Sequence, residues 1–278
     1  MLARIAFVLV SILSAQVFAA PTTGKYFDRA IFVIFENTNY SDALKQPFLG
    51  QLARQGALLT NFMALTHPSQ GNYIALTSGS LSGVTNDNSV DLDVRNIVDL
   101  LEAKGISWKA YAEDYPGNCF TGKSKGDYVR KHVPFLSYLN ITRNSTRCAK
   151  IVNATEFDRD SAAGLLPNYV FFIPNIKNDG HDTGVAFADK WYKKRFTPFI
   201  NDPKFMENTV LISTFDESGV SLQNKIYTSL YGPAVKPGPV SAALTIYSLL
   251  DLVETNWNLG NLGLNDANTP AIPASIWR

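Results

Sequence analysis

Runs of apolar residues alternate along the chain with segments of mixed polarity. Residues 30–35 form the run Ala-Ile-Phe-Val-Ile-Phe, and polar residues follow it at once. Residues 169–173 and 209–215 form two further runs rich in β-branched and aromatic residues. Uninterrupted apolar runs of this length are typical of strands that are buried on both faces of a sheet. We therefore predict three buried strands here, with further strands over residues 57–63 and 107–112.

Helical periodicity marks several of the segments between these strands. Apolar residues from Val94 to Leu101 recur at the i, i+3, i+4 and i+7 spacing of an amphipathic helix, and Gly105 ends the pattern. Three further helices are predicted, over residues 42–55, 185–199 and 246–257. Because strands alternate with helices, the sequence predicts an α/β fold, a three-layer α/β/α sandwich with a mostly parallel central sheet.

The first residues of the chain have the pattern of a secretory signal peptide. Arg4 precedes an apolar stretch from Ile5 to Leu13, and small residues follow up to Ala20. We predict a signal peptide over residues 1–19 and a single domain over residues 20–278. The apolar stretch is too short to span a membrane, and no later run reaches eighteen residues, so no transmembrane segment is expected.

Composition excludes several classes of protein. The chain has 278 residues, of which 46% are hydrophobic, and this fraction is sufficient for a packed core. Its 25 basic and 24 acidic residues become 24 and 24 when Arg4 leaves with the signal peptide. A chain without net charge has no general attraction for nucleic acid or for anionic membranes, so neither is expected as a partner.

The two cysteines and the glycosylation sequons suit a secreted protein. Cys119 and Cys148 are the only cysteines, and an isolated pair in an oxidising compartment most often forms a disulfide. The alternatives are two free thiols and a metal site, and the sequence offers no further ligands nearby at zinc spacing. Three sequons that we expect to be glycosylated lie near the second cysteine, at Asn140, Asn144 and Asn153. Their clustering predicts an exposed excursion over residues 140–155.

Pairs of oxygen-bearing residues follow two of the predicted strands. Glu36 and Asn37 follow the first strand, and Asp216 and Glu217 follow the strand that ends at residue 215. Ligands of open α/β sheets bind outside the carboxyl ends of the strands, so the two pairs should face one crevice. Carboxylate and amide oxygens favour one divalent metal ion such as Mg, Ca or Mn, and Zn remains possible. The alternative is a pair of strand-end caps with solvated carboxylates.

The segment from Thr66 to Tyr73 precedes an apolar stretch, and Ser69 stands where a helix would begin. The free N–H groups and the dipole of a helix start favour a reactive hydroxyl and could also hold a phosphate. Asn72, one turn later, could donate to a phosphate oxygen. Ser69 could equally be an N-cap residue, and both interpretations stay open at this point.

The chain has three histidines, His67, His132 and His181, each in a polar or loop-like segment. Asp179 and Asp182 flank His181 and favour its protonated form, which suits a general acid. Solvated histidines without a catalytic role are the alternative. The motifs of serine esterases, P-loop proteins, zincins and dinucleotide-binding folds are absent from the sequence.

Six ordered motifs between residues 30 and 257 resemble those of the phosphoesterase family. They are Phe-Glu-Asn-Thr (35–38), His-Pro-Ser-Gln-Gly-Asn-Tyr (67–73), Tyr-Ala-Glu-Asp-Tyr-Pro (111–116), Lys-His-Val-Pro-Phe (131–135), Pro-Asn-Ile-Lys-Asn-Asp-Gly-His-Asp (174–182) and Phe-Asp-Glu (215–217). The family includes fungal secreted acid phosphatases and bacterial and plant phospholipases C. The chain is most similar to the fungal branch, because the large insertions of the phospholipases are absent.

The resemblance implies an alkaline-phosphatase-like fold and metal-assisted phosphoryl transfer through a covalent intermediate. Ser69, Asn72 and Gly79 have the spacing of the nucleophile motif, which favours Ser69 over Thr66 as the nucleophile. The implied metal ligands are Glu36, Asn37, Asp216 and Glu217. His132 and His181 match histidines around the phosphate and are expected to assist catalysis. The remaining candidates, for substrate binding, are Asn72, His67, Asn178 and Asp179.

The implied function is that of a secreted acid phosphatase that hydrolyses small phosphate monoesters. A phospholipase C-like phosphodiesterase and a non-catalytic glycoprotein that binds phosphorylated ligands are the alternatives. Two residues depart from the family pattern. Gly71 stands where the family usually has proline, and Ile246 stands where many fungal relatives have histidine. The second departure removes an imidazole and therefore bears on efficiency and pH optimum.

Overall fold

The computed structural model describes residues 22–219, 221 and 223–278. The predicted signal peptide lies outside the described residues. The strands are β1 (Arg29–Phe35), β2 (Ala57–Leu59), β3 (Phe62–Met63), β4 (Trp108–Ala112), β5 (Ser124–Lys125), β6 (Tyr128–Val129), β7 (Ile151–Asn153), β8 (Tyr169–Ile173), β9 (Thr209–Phe215), β10 (Thr228–Tyr231), β11 (Gly238–Val240) and β12 (Leu244–Thr245). The α-helices are α1 (Tyr40–Leu44), α2 (Pro47–Gln55), α3 (Gln70–Ser78), α4 (Ile97–Ala103), α5 (Leu139–Thr142), α6 (Ser145–Cys148), α7 (Thr155–Ala162), α8 (Val185–Ile200), α9 (Pro203–Met206) and α10 (Ile246–Asn256). Short 3₁₀ helices cover Arg130–His132, Pro134–Ser137, Asn265–Asn268 and Ala274–Ile276.

Eight strands form the main sheet in the order β11-β2-β10-β9-β1-β8-β4-β7. All neighbouring strands are parallel except β10, which is antiparallel to β9 and to β2. The predicted mostly parallel sheet is therefore confirmed. Strand β1 lies between β8 and β9, and Phe35 pairs with Phe215 in register. The residues that follow these two phenylalanines therefore leave the sheet side by side.

Helices cover both faces of the sheet, as adjacent residues of β8 show. The Phe171 ring lies 5.2 Å, between centroids, from Phe135 of a 3₁₀ helix on one face. The Phe172 ring lies 5.2 Å from Phe196 of α8 on the opposite face. Helix α2 packs against α8, and helix α3 packs against α10. Strand β8 is fully buried because both faces are covered, and the three-layer sandwich is confirmed.

Two predicted helices differ from those observed. The segment 42–55 contains two helices, because Pro47 begins α2 and its ring cannot continue the preceding helix α1. Helix α4 begins three residues after Val94. The Asn96 side chain accepts a hydrogen bond from the Val98 N–H, and Asp99 completes a capping box. Local capping therefore sets these boundaries more strongly than hydrophobic periodicity.

The predicted exposed excursion over residues 140–155 is confirmed only for the exposed run 143–146, because most of the remaining segment packs against the fold. Strand β7 extends the main sheet by pairing with β4, and the short helices α5 and α6 precede it. Ile141 and Cys148 are buried among the polar sequon residues, and Cys148 forms the expected disulfide with Cys119. A few apolar residues and a disulfide are enough to fix a segment whose composition is otherwise polar.

The three sequons of this segment differ in environment. The Asn140 amide nitrogen donates to the Asp99 carboxylate at 2.9 Å, and the Asn153 amide nitrogen donates to the Tyr115 carbonyl at 3.0 Å. Asn144 is exposed. Glycosylation stays a prediction at all three sites, and we expect Asn144 to be the most readily modified.

None of the helices in the described part of the chain is both long enough and apolar enough to cross a membrane.

Candidate active site

The carboxyl ends of β1 and β9 bring the two acidic pairs together. The Asp216 N–H donates to the Phe35 carbonyl at 3.0 Å, which continues the strand ladder by one residue. The Asn37 N–H donates to the Asp216 carboxylate at 3.2 Å. Asn37 has a positive φ of 47°, so the chain turns sharply after Glu36. Glu36, Asp216 and Glu217 are all buried beside this turn.

Ser69 lies at the start of α3 and points its hydroxyl into this acidic group. Its Oγ atom is 2.8 Å from Glu36 Oε2 and 3.3 Å from Glu217 Oε1. Ser69 occupies the N-cap position, but its side chain makes no capping hydrogen bond to α3. It is only 1% exposed. The N-cap interpretation therefore does not describe the Ser69 hydroxyl, which contacts carboxylates instead.

Two buried aromatic side chains fix the orientation of Glu36. The Tyr73 hydroxyl donates to Glu36 Oε1 at 2.6 Å, and His132 Nε2 lies 3.0 Å from the same oxygen. The Tyr73 and His132 rings stack at 5.3 Å between centroids, with an angle of 17° between their planes. One carboxylate oxygen of Glu36 is thereby held by Tyr73 and His132, and the other is left for Ser69.

The charges of this group are strongly coupled. Burial alone would raise the pKa of Glu36, but the adjacent His132 lowers it to about 2. Burial opposes the charge of His132, yet Glu36 and Asp179 raise its pKa to about 10. The pKa of Asp216 is raised well above its usual value, first by burial and then by Glu36 and Glu217. Glu36 is therefore ionised. Ionisation of Asp216 is unfavourable because of burial and its neighbouring carboxylates, and a bound cation would make it favourable.

Asp179 links His132 to His181. Asp179 Oδ2 lies 3.0 Å from His132 Nδ1, and its other carboxylate oxygen accepts the His181 N–H at 2.8 Å. The Asp179 carbonyl accepts the Glu36 N–H at 3.0 Å. His132 is 1% exposed, whereas the His181 side chain is 31% exposed and its Nδ1 contacts Asp182 at 2.7 Å. Of these two imidazoles, only His181 is accessible to a bound molecule.

His67 and Glu217 form a second imidazole–carboxylate pair. His67 Nδ1 lies 2.6 Å from Glu217 Oε2, and the His67 side chain is 45% exposed. Burial raises the pKa of Glu217, and His67 acts against this rise. The second nitrogen of the His67 ring stays available on the open side of the site.

Asn72 holds the segment that precedes Ser69. Its side-chain oxygen accepts the N–H groups of Leu65 and Thr66, and its amide nitrogen donates to the Thr66 carbonyl at 2.8 Å. Asn224 also donates to that carbonyl, at 3.0 Å. Both polar atoms of the Asn72 side chain are thus engaged with backbone, so this structure supports a positioning role for Asn72 rather than direct contact with a phosphate.

Asn178 lies on the same loop as Asp179, but its side chain is directed elsewhere. Its amide nitrogen donates to Glu113 Oε2 at 2.6 Å, and the same oxygen accepts the Asn175 N–H at 3.0 Å. Asn175 in turn donates to Asp114 at 2.6 Å. The carboxylates that follow β4 therefore anchor the loop that carries Asp179 and His181, and Asn178 does not join the group around Ser69.

Sequence reasoning missed several residues that build this site, although most of them lie within the six family motifs. Tyr73 orients Glu36, and Glu113 anchors the loop of Asp179. Lys131 contacts Asp87, which in turn contacts the N-terminus of α3. The proximity of Tyr73 to Ser69, one helical turn away, was the available signal, whereas the other contacts join segments that are distant in sequence.

The two departures from the family pattern are packed into the protein. A Cβ atom on Gly71 would lie 2.8 Å from Thr66 Cγ2 and 3.1 Å from the Val84 carbonyl oxygen. Ile246 is buried in the hydrophobic core at the start of α10. Close packing thus accounts for glycine at position 71 in this chain.

The oxygen atoms around Ser69 suit a hard cation. Asp216 Oδ2 is buried without a hydrogen-bond partner among the described residues, and Asn37 Oδ1 lies 3.5 Å from the Ser69 hydroxyl oxygen. No group of three or more His, Cys, Asp or Glu side chains in the described ranges is arranged as a metal site. Glu36, Asp216 and Glu217 therefore do not form a ready metal cluster by themselves, and a cation would also need the Asn37 amide and the Ser69 hydroxyl. Such a mixed set of oxygens fits a divalent metal ion.

Comparison with solved structures agrees with the fold described above. A protein of the alkaline phosphatase superfamily from Vibrio parahaemolyticus superimposes with a TM-score of 0.60 at 12% sequence identity. The similarity covers 92% of this chain and 73% of that protein. At this identity the similarity establishes the architecture alone, which is alkaline-phosphatase-like.

Sequence comparison is more specific. The chain is 39% identical over 259 residues to the probable acid phosphatase of Kluyveromyces lactis. The matched region covers 88% of this chain and 62% of that relative. It is 31% identical over 288 residues to the phosphatidylinositol-3-phosphatase of Mycobacterium tuberculosis, covering 99% of this chain and 93% of that relative. The chain spans about three fifths of the length of the curated fungal relatives. The profile of the Phosphoesterase family matches residues 32–260. Sequence, fold and site geometry agree, and the chain belongs to the phosphoesterase family.

Proposed function

We propose that this chain is a secreted acid phosphatase that hydrolyses phosphate monoesters through a phosphoserine on Ser69, with the help of one divalent metal ion. The observation that carries the proposal is the position of the Ser69 hydroxyl. It stands at the N-terminus of α3, where the helix dipole favours an anion, and within 3.5 Å of oxygens from Glu36, Asn37 and Glu217. The names of the fungal relatives support a phosphatase activity.

In the first step, Ser69 Oγ attacks phosphorus in line with the leaving alcohol. The Oγ–P bond forms as the Ser69 proton passes to the Glu217 carboxylate, whose Oε1 lies 3.3 Å from Oγ, and the bond from phosphorus to the alcohol oxygen breaks so that the alcohol departs. Glu36 has a pKa of about 2 and is a poor proton acceptor, so we assign it to holding the cation rather than to deprotonating Ser69. When bound by Glu36, Asn37, Asp216 and Glu217, the metal ion would lower the pKa of the Ser69 hydroxyl and neutralise phosphoryl charge.

We assign the proton of the leaving alcohol to His181. Its backbone is fixed by Asp179, its Nδ1 contacts Asp182, and its exposed ring leaves Nε2 free to donate. His132 is buried between Glu36 and Asp179, so it assists by positioning these carboxylates. In the second step a water oxygen bonds to phosphorus and one proton of that water passes to His181. The Oγ–P bond breaks, Ser69 Oγ takes back the proton held by Glu217, and phosphate is released.

Of the four remaining candidates, one contacts the substrate in this proposal, and three position the site. His67, exposed and paired with Glu217, offers its free ring nitrogen to the phosphoryl group or to the attacking water. Asn72, Asn178 and Asp179 act by positioning: Asn72 shapes the segment before Ser69, and the other two hold the loop of His181. The disulfide between Cys119 and Cys148 supports secretion, because disulfides persist in oxidising compartments.

A second candidate function is hydrolysis of a phosphate monoester carried by a lipid. The similarity to a phosphatidylinositol-3-phosphatase, over nearly the whole of both chains, favours it. The chemistry at Ser69 would be the same, and the difference would lie in what surrounds the phosphoryl group.

The experiment is a comparison of phosphate release from p-nitrophenyl phosphate by the wild-type chain and by Ser69→Ala. We expect the variant to lose at least about 10³-fold in kcat, because both steps pass through Oγ. Thr66→Ala is the matched control, since Thr66 is the nearby hydroxyl whose side chain donates to the His67 carbonyl. It should retain most of the activity.

Short-chain phosphatidylinositol 3-phosphate and phosphatidylcholine extend the assay. Phosphate release from the first would favour the lipid monoester, and release of diacylglycerol from the second would favour a phosphodiesterase. Equal activity of wild type and Ser69→Ala would contradict Ser69 as the nucleophile. Binding of phosphate without turnover of any of these substrates would favour a non-catalytic protein.

A further inference from the structure

A lysine–aspartate pair lies beside the nucleophile and has no role in the steps above. Lys131 Nζ is 2.8 Å from Asp87 Oδ2. The other carboxylate oxygen of Asp87 accepts the Gln70 N–H at 3.0 Å. Gln70 directly follows Ser69 and is the first residue of α3. The Asp87 carboxylate thus bridges a helix N-terminus and an ammonium group.

The space between the Gln70 N–H and the Lys131 ammonium binds an anionic group, as the Asp87 carboxylate shows. A carboxylate held by the first amide of a helix and by a lysine is a bound anion, and the dipole of α3 adds to its stabilisation. Gln70 is 1% exposed, and its side-chain nitrogen is buried without a hydrogen-bond partner among the described residues. The Gln70 N–H, which Asp87 satisfies, therefore lies one residue from the nucleophile, and the buried side-chain nitrogen of Gln70 is a second donor without a partner among the described residues.

Lys131 carries its charge close to the carboxylates around Ser69. Its side chain is only 15% exposed. Burial lowers the pKa of Lys131, but Glu36, followed by Asp87 and Asp216, outweighs burial and raises it. The position of Lys131, one residue before the buried His132, explains this proximity.

Asp87 is the more exposed partner of the pair. Its side chain is 29% exposed, and it lies between the exposed residues Asn86 and Asn88. A rotation of this side chain would free both the Gln70 N–H and the Lys131 ammonium. Lys131, by contrast, lies in a 3₁₀ helix that directly follows the short strand β6.

We propose that Lys131 binds a nonbridging oxygen of the substrate phosphoryl group, and that the Asp87 carboxylate occupies this anion position in the free protein and leaves it when the phosphoryl group binds. The inference rests on the proposed function and adds to it a binding cation and a competing internal anion. A phosphoryl group brings further negative charge to a site that already contains several carboxylates. His132 is enclosed between the carboxylates of Glu36 and Asp179, whereas Lys131 is not, so Lys131 is the cation that can turn to the phosphoryl group.

The proposal predicts opposite effects for the two partners of one ion pair. Lys131→Met should weaken inhibition by inorganic phosphate about 10- to 100-fold, because a charge-assisted hydrogen bond is lost. Lys131→Arg should weaken it less. Asp87→Asn should strengthen phosphate inhibition about 3- to 10-fold, because the internal competitor loses its charge. A purely structural ion pair would give the same sign for both substitutions.

Lys109→Met is the matched control. Lys109 is also largely buried and pairs with Asp160 at 2.6 Å, but it lies on β4, away from Ser69. The inhibition constant for phosphate should be within about twofold of wild type in this variant. Thermal unfolding of all variants, compared with Lys109→Met, separates lost stability from lost binding.

The experiment measures the inhibition constant of inorganic phosphate, at one mildly acidic pH, and its affinity for the full secreted chain by calorimetry. An inhibition constant of Lys131→Met within about twofold of the wild-type constant would overturn the proposal. Weaker phosphate binding by Asp87→Asn than by wild type would also overturn it. Failure of the proposed function would look different, because wild type itself would then release no phosphate from p-nitrophenyl phosphate. The calorimetric comparison of the variants would still test the anion position.

Discussion

The two ends of helix α3 both contact buried carboxyl groups, but they do so in opposite electrostatic settings. At the N-terminus, Glu36 faces Ser69, Tyr73 and His132. At the C-terminus, Asp266 approaches Gly79, and a Cβ atom on this glycine would lie 2.4 Å from the Asp266 carboxylate. Gly79 adopts a φ of 72°, which favours glycine and ends the helix.

Glu254 of α10 lies beside Asp266, and its two carboxylate oxygens are buried without hydrogen-bond partners in the described part of the chain. Burial, and next Asp266, raises the pKa of Glu254 to about 9, whereas Glu36 has a pKa of about 2. Negative charge is favoured at a helix N-terminus and disfavoured at a C-terminus. This protein keeps a buried carboxyl group ionised where a cationic partner contacts it, as at Glu36, and neutral where none does, as at Glu254.

Among substitutions of the carboxyl and tyrosine side chains near the two ends of α3, Glu36→Gln should cost the most activity. The substitution keeps the shape of the side chain but removes the charge beside Ser69 and His132. We expect kcat for p-nitrophenyl phosphate to fall about 10³-fold, because the proposed metal ligand is lost. A loss of less than tenfold would show that the charge at the N-terminal end of α3 is not needed for turnover.

Tyr73→Phe should have an intermediate effect. The Tyr73 hydroxyl orients Glu36, and removing such a supporting hydrogen bond typically costs about 10- to 100-fold in activity. We expect this loss in kcat with little change in KM. Steady-state kinetics with p-nitrophenyl phosphate would measure both constants.

Tyr138→Phe is the control for Tyr73→Phe. Tyr138 is also buried, and its hydroxyl contacts Thr77 near the other end of α3 at 2.6 Å. Its loss should lower stability by about 1 kcal/mol and leave kcat nearly unchanged. Equal losses of kcat in the two variants would mean that Tyr73 supports the helix rather than Glu36.

Glu254→Gln should change activity least, because Glu254 lies on α10 beside Asp266, near the C-terminal end of α3 and away from Ser69. Between the ordinary glutamate pKa of 4.5 and the folded-state value of about 9, the folded protein keeps a proton that the unfolded chain releases. Stability from this group is therefore complete at low pH and is lost as pH rises through this window. Glutamine does not ionise, so it removes this pH dependence of stability, and Tm at pH 8 should rise by at least about 2 °C.

Thermal unfolding at pH 4 and pH 8 checks this expectation. At pH 4 both forms of the chain have a neutral side chain at position 254, so wild type and Glu254→Gln should unfold at nearly the same temperature. The kcat values should agree within about twofold. A lower Tm of the variant at pH 8 would show that the ionised Glu254 is stabilised in the fold.

Much of the fold could be predicted from the sequence because its central strands are rich in apolar, β-branched and aromatic residues. The predictions over residues 169–173 and 209–215 coincide with β8 and β9, and that over 30–35 misses only Arg29 of β1. The helix predicted over residues 42–55 is two helices in the structure because Pro47 begins the second one, and hydrophobic periodicity does not show this effect of proline. The exposure of residues 143–146 was predicted, but the anchoring of the flanking residues was not, because the polar composition hides the few apolar residues, such as Ile141 and Cys148, that hold them.

The site was predictable to the extent that its residues follow strands. Because parallel strands end at one edge of a sheet, the positions of Glu36 and Asp216 in the sequence were enough to expect that they meet. The orientation of side chains could not be predicted in this way. Asn72 and Asn178 carry amides suited to phosphate, yet each is engaged elsewhere, and Lys131 meets Asp87 across more than forty residues of sequence.

The most direct test of the account is to trap the covalent intermediate. The wild-type chain would be mixed with p-nitrophenyl phosphate, quenched in acid within the first turnovers, digested and analysed by peptide mass spectrometry. The account predicts one phosphate on the peptide that contains Ser69, and none on that peptide in Ser69→Ala. Phosphorylation of another residue, or rapid turnover with no phosphorylated peptide, would contradict the assignment of Ser69 as the nucleophile.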